Sequence, residues 1–138
     1  MIGTPTKFLE MDGTTVLINF ANYAIVAPFQ LTSFQQQIDP IVVLPGGAIL
    51  DLYEAEDLPA PRQMPITVRV LLTNTSWNTT VADWQSLLQG SAGKLQARPV
   101  NSVTLYTATC YLQDVNQVDQ WGNGALVDLR FTFSGGFV

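Results

Sequence analysis

One thiol, a short run of carboxylates and three indoles are the side chains in this sequence whose types could do chemistry. Cys110 is the single cysteine, and no histidine accompanies it anywhere in the 138 residues. A thiolate nucleophile needs a base or a helix terminus beside it. Cys110 stands instead within an apolar run that includes Ala108, Tyr111 and Leu112, the setting of a packed core thiol. Glu54, Glu56 and Asp57 are close enough in sequence to suggest a glycosidase pair, which requires two carboxyls on rigid facing elements. They precede Leu58-Pro59-Ala60-Pro61, so a solvated acidic loop is the expected reading. Structural zinc wants four thiolate or imidazole ligands and catalytic zinc usually three, which this composition does not supply. Gly46-Gly47 lacks the Lys-Ser/Thr and the helix of a phosphate loop, and Gly135-Gly136 lies near Val138. The reading is of a non-enzyme without catalytic residues, cofactor or metal.

Trp84 falls on the apolar stripe of a predicted helix and is expected in the core. Trp77 and Trp121 fall in predicted loops, where contact with a neighbouring subunit is preferred over a stacking platform for a sugar or base. Gln35-Gln36-Gln37 reads as a solvated loop face, with a contact between rings as its functional alternative.

Only 12% of residues are charged, with Lys+Arg 6 against Asp+Glu 11 and a net charge of -5, while 47% are hydrophobic. Soluble domains average about 25% charged residues, so half that coverage implies that copies or partners bury much of the surface. The acidic balance argues against a nucleic-acid binder, which needs a Lys/Arg stripe to neutralise phosphates. The first residues lack a charged start followed by an apolar run, and no stretch of eighteen apolar residues occurs. A soluble protein made in a cytoplasm is therefore expected. The triplets Asn74-Thr75-Ser76 and Asn78-Thr79-Thr80 then read as chance matches to a glycosylation signal.

The elements that must position these residues are mostly strands. Asp12-Gly13, between Phe8-Leu9-Glu10-Met11 and Thr14-Thr15-Val16-Leu17-Ile18, predicts a hairpin with a two-residue turn. Residues 30–45 read as a long connection and 48–53 as a short strand. Ile66, Val68, Val70 and Leu72 alternate with more polar neighbours, the period of a strand that buries one face. Thr80 with Asp83 resembles a capping box opening a helix of about ten residues that carries Val81, Trp84, Leu87 and Leu88 and closes at Gly90. Residues 103–112 and 125–133 read as strands joined through a turn at Gly122-Asn123-Gly124. One domain over 1–138 is expected, mainly β: a β-sandwich or partly open barrel of antiparallel strands with one flanking α-helix.

From Leu44 onward the order of features resembles the distal tail, or tail-hub, proteins of long-tailed bacteriophages, whose core has the tail-tube fold. The carrying residues are Leu44-Pro45-Gly46-Gly47 with Asp51-Leu52-Tyr53, Arg62 leading into Ile66-Thr67-Val68-Arg69-Val70-Leu71-Leu72, and the helix around Trp84-Gln85-Ser86-Leu87-Leu88. Gly93-Lys94-Leu95, Ala108-Thr109-Cys110-Tyr111-Leu112 and Val127-Asp128-Leu129-Arg130-Phe131-Thr132-Phe133 complete it. The resemblance implies a two-sheet sandwich with a helix, six copies in a ring and strands joined across subunits around a DNA channel. DNA would pass without specific binding, other tail proteins would stack above and below, and the chain would reside in the virion. The chain has no room for the additional carbohydrate-binding-like domain of larger members, and major tube and terminator proteins share the fold. A wall that passes DNA should be acidic or neutral, which nominates Asp114, Asp119 and Asp128. Ring-contact candidates are Gln35, Gln36, Gln37, Glu54, Glu56, Asp57, Trp77 and Trp121. A carbohydrate-binding β-sandwich module using Trp77 and Trp121 is the alternative, and a hydrolase using the acidic loop a third reading.

Overall fold

Alternating apolar and polar side chains, rich in β-branched residues, commit most of this chain to strands. The computed structural model describes residues 2–26, 28–31, 34–35, 41–51, 62–90 and 92–138, without the side chains of Gln35 and Val42. The strands are β1 (Ile2–Glu10), β2 (Val16–Asn19), β3 (Ala24–Ile25), β4 (Phe29–Gln30), β5 (Phe34–Gln35), β6 (Ile41–Val43), β7 (Ile49–Asp51) and β8 (Arg62–Gln63). They continue with β9 (Ile66–Leu72), β10 (Gly93–Pro99), β11 (Tyr106–Trp121) and β12 (Gly124–Phe133), and the helix α1 (Trp77–Ser86) lies between β9 and β10.

Eight strands form one sheet in the order β2-β1-β10-β11-β12-β9-β3, with β4 pairing the opposite end of β1 from β2. Its pairings are antiparallel, and the order is linear, so the sheet does not close into a barrel. It is nonetheless strongly curled. Phe8 of β1 and Phe131 of β12 belong to strands three steps apart in that order, yet their ring centroids are 5.2 Å apart, edge to face. On a flat sheet three steps would separate them by about 14 Å. The concave face therefore wraps the core, in which Val68, Val70, Leu95, Cys110, Val127, Leu129 and Phe131 are all 0% exposed. The mainly β architecture with one flanking helix is thus present, in its curled, open form.

Helix α1 adds Val81 and Trp84 to the same core, and Trp84 meets Tyr23 edge to face at 5.2 Å. It starts earlier than the capping-box pattern predicts. Asn74 makes the entry turn, its Oδ1 accepting from the Ser76 N–H and hydroxyl at 3.2 and 3.1 Å. Thr80 is already inside the helix, its N–H bonded to the Ser76 carbonyl, so it cannot act as the cap. The last turn tightens into a 3-10 segment, Leu87–Gln89, before Gly90.

Two hairpins differ from their predicted turns. The β1–β2 connection is longer than the two residues expected, because the Asp12 carboxylate organises a wider loop. It accepts from the N–H groups of Thr14 and Thr15 at 2.8 and 2.9 Å and from the Thr15 hydroxyl at 2.7 Å, while Gly13 takes φ 74°. These donors hold the Asp12 pKa at about 2, below the ordinary carboxylate value. The β11–β12 connection is short, as expected, with Trp121 paired to Gly124, but β11 runs to Trp121 rather than ending near 112. The predicted connection over 30–45 is also not structureless: β5 and β6 lie within it, and β4 ends on its first residue.

Candidate functional site: the outer sheet face and a projecting arm

The sheet face turned away from the core carries most of the chain's positive charge. Arg69 and Arg130 each stand between two buried neighbours on β9 and β12 and so point outward. Lys94 and Arg98 alternate with buried Gly93, Leu95, Ala97 and Pro99 on β10, and Lys7 of β1 pairs with Gln96 on the same face. Five of the six Lys and Arg residues thus share one face, Arg62 on β8 being the exception.

The three acids nominated for a channel wall are brought to that face as well, two of them by β-bulges. Leu112 pairs with buried Phe131, so plain alternation would turn Asp114 inward; the bulge between Leu112 and Asp114 shifts the phase and sets Asp114 opposite Arg130. A second bulge between Gln117 and Asp119 does the same for Asp119, which pairs with Leu126. Asp128 needs no bulge, since it lies between buried Val127 and Leu129. It receives both Nε and Nη2 of Arg69, at 2.8 and 3.0 Å. That fork raises the Arg69 pKa. The face is therefore not acidic as a whole. Its β1–β10 half holds Lys7, Lys94 and Arg98, and its β11–β12–β9 half holds Asp114, Asp119 and Asp128 with Arg69 and Arg130.

Strands β6 and β7 form a separate two-stranded arm that pairs only with itself among the described strands. Its turn is built on Pro45-Gly46-Gly47, where φ of 93° and 89° require residues without a Cβ, and the Leu44 N–H donates to the Ala48 carbonyl at 2.7 Å. Val43 and Ile49, directly paired, are 69% and 67% exposed. Ile41, Leu44 and Leu50 are exposed too, which leaves both faces of the arm apolar and open to solvent. A further hollow of about 440 Å³ lies beyond the end of β10, lined by Thr4, Arg98, Pro99, Val100, Ser102 and Val103.

The remaining candidates sort as follows. Trp77 is in the first turn of α1, half-buried and packed against the core, because the helix begins before the predicted cap; it is no loop platform. Trp121 ends β11 and is 45% exposed. Gln35 lies in β5, paired with Arg62. Gln36, Gln37, Glu54, Glu56 and Asp57 lie outside the described residues. Cys110 is fully buried, and burial pushes its thiol up to about 12, as expected of a core residue. No group of three or more His, Cys, Asp or Glu side chains placed to hold a metal occurs among the described residues.

Sequence reasoning missed the arm and the gathering of the cations. The arm had a signal: Pro-Gly-Gly flanked by Ile41-Val42-Val43 and Ile49-Leu50 is a hairpin pattern. The cations had none, since they come from β1, β9, β10 and β12, which are brought together only by pairing. No family model, curated protein or solved structure matches this chain.

Proposed function

We propose that this chain is a structural subunit that assembles with copies of itself into a ring in the tail of a long-tailed bacteriophage, at the level of the hub or distal tube, and that it has no catalytic role. The observation that carries the self-assembly part is the arm: a two-stranded ribbon with Ile41, Val43, Leu44, Ile49 and Leu50 all exposed is unstable in water unless another surface covers it. The scarcity of charge and the open linear sheet point the same way, because sheet edges left unprotected by charge favour pairing with further chains. The order of features quoted above, from the Pro-Gly-Gly turn to the terminal hairpin, supports the phage-tail part. In this reading the projecting end of β11–β12, with exposed Asp114 and Asp119, lines the DNA channel, and six copies are the expected number. The chain stays in the virion and contacts other tail proteins above and below.

Size-exclusion chromatography with light scattering, followed by negative-stain electron microscopy, tests the proposal. Closed rings or stacked tubes are the expected outcome. A monomer at every attainable concentration overturns it. Exposed Trp121 favours one second reading, a sugar-binding module; a monomer whose glycan binding is lost in Trp121→Ala would establish that instead.

A further inference from the structure

We infer that Trp121 of one copy inserts its indole into a hollow at the start of β9 of a neighbouring copy, where the side-chain carbonyl of Gln63 accepts the indole N–H. The inference rests on the self-assembly reading above and names one contact within it. Gln63 is 1% exposed, the one buried polar or charged side chain among the described residues. Its Nε2 reaches the Gln30 carbonyl at 3.5 Å, which fixes the orientation of the amide, since turned over it would set two oxygens face to face. Its Oε1 then has no hydrogen-bond partner among the described residues. Leaving a buried acceptor unmet costs stability, so a group that brings it a donor is bound with that gain. Gln63 lines a hollow of about 190 Å³, and Phe29, Met64, Pro65 and Ile66 make the rest of its wall largely apolar. Small-molecule sites run to roughly 300–1,000 Å³, so this one suits a single side chain. A cation would have to shed its water for one uncharged acceptor. An indole brings an apolar body, one neutral N–H and no acceptor of its own to leave unmet.

Trp121 is the indole that this chain offers to solvent: Trp84 is buried and Trp77 packs on the core. Its ring lies close over Gly124, its partner across the hairpin, which holds the indole in place, and its N–H meets no acceptor among the described residues. A half-exposed tryptophan already fixed in position loses little freedom on docking, and such residues anchor interfaces. Donor and acceptor stand at opposite ends of one strand. Gly124 precedes Ala125, which pairs with Leu72 at the end of β9, whereas the hollow is lined by Ile66 and Thr67 at its start, about 20 Å away along the strand. They cannot meet within one copy. The start of β9 is also accessible, because β3 pairs only with Val70 and Leu71 and no other described strand covers that edge. A head-to-tail contact of this kind repeats from copy to copy and closes a ring or extends a stack.

The test measures self-association of full-chain variants by light scattering and sedimentation velocity, with circular dichroism to confirm that each folds. Trp121→Ala is expected to weaken association at least about tenfold. Trp121→Phe keeps an aromatic body without the N–H, and Gln63→Leu removes the acceptor. Each should weaken association about two- to tenfold, and the two together no further than the stronger single effect, because both remove the same hydrogen bond. A second readout leaves Trp121 and Gln63 in place: an Asn123→Cys copy mixed with a Met64→Cys copy should be joined by a short bis-maleimide, with Cys110 protected in the core. Undiminished association in Trp121→Ala overturns the docking. So does undiminished association in both Trp121→Phe and Gln63→Leu, which would leave the hollow to water alone, and so does a mixture that assembles without a cross-link. Each of these results leaves the ring reading standing, whereas a monomeric parent overturns both.

Discussion

The curl of the sheet can be measured in solution through two phenylalanines that the chain places far apart. Phe8 and Phe131 are 2% and 0% exposed and meet edge to face at 5.2 Å across the concave side. Truncating a buried phenylalanine to Ala costs about 3–5 kcal/mol, a large share of a stability of about 7 kcal/mol for a chain of this length at the lower per-residue bound. Phe8→Leu and Phe131→Leu keep most of the volume and should cost about 1–2 kcal/mol each. Beyond that, the double variant should be less destabilised than the sum by about 0.5–1.5 kcal/mol, the value of an edge-to-face pair beyond its buried area. Phe131 also approaches Phe20 at 6.4 Å, so part of its loss is shared with a third ring and does not enter the Phe8 coupling. Urea unfolding followed by fluorescence supplies the four stabilities, with buried Trp84 as reporter and a protein concentration series to remove any contribution from association. Additivity of the two substitutions within about 0.3–0.5 kcal/mol would refute the reasoning, because it would mean that the rings do not touch and that the sheet is nearer flat.

Three further outcomes follow from local geometry. Gly124→Ala should destabilise by about 1–3 kcal/mol in the same assay, since a Cβ there would collide with the Leu72 carbonyl oxygen, whereas Gly122→Ala, which meets nothing within 4 Å, should not register. Asp12 has a folded pKa of about 2 against 3.8, so its contribution is fully present above pH 3.8 and is lost as pH falls through 2; Asp12→Ala should lower the midpoint of thermal unfolding at neutral pH and stop mattering near pH 2. Cys110, with its thiol raised to about 12 from 9.0, should resist alkylation at pH 8 in the folded protein and react once urea unfolds it. Its sign is the reverse of Asp12: the unfolded thiol ionises first, so stability is full below pH 9 and declines as pH rises from 9 toward 12.

Local sequence carried the elements well where one face of a strand is buried. In β9 and β12 the alternation of Ile66, Val68, Val70 and Leu72, and of Ala125, Val127, Leu129, Phe131 and Phe133, is also the alternation of burial. It failed where a side chain or a distant pairing competes with that pattern. Asp12 widened a turn by accepting three hydrogen bonds, and the packing of Trp77 on the core set the start of α1 ahead of the apparent cap. The strand read over 48–53 contains β7, Ile49–Asp51, but its partner β6, Ile41–Val43, lay inside the segment read as a connection because three residues are too short to show a period.

The candidate surfaces divide in the same way. By itself the sequence determined that strands would dominate, that conventional thiolate and imidazole chemistry is missing, and that charge is too sparse to cover an ordinary surface, because these are properties of composition and of a period of two residues. The tertiary structure alone decided where the charges go. Lys7, Arg69, Lys94, Arg98 and Arg130 meet on one face only through the pairing of β1 with β10, β10 with β11, β11 with β12 and β12 with β9. Asp114 and Asp119 reach that face only because two bulges reverse the phase of β11. Register and bulges are settled by contacts between strands distant in sequence, and a shift of one residue exchanges the faces, so no local pattern specifies them.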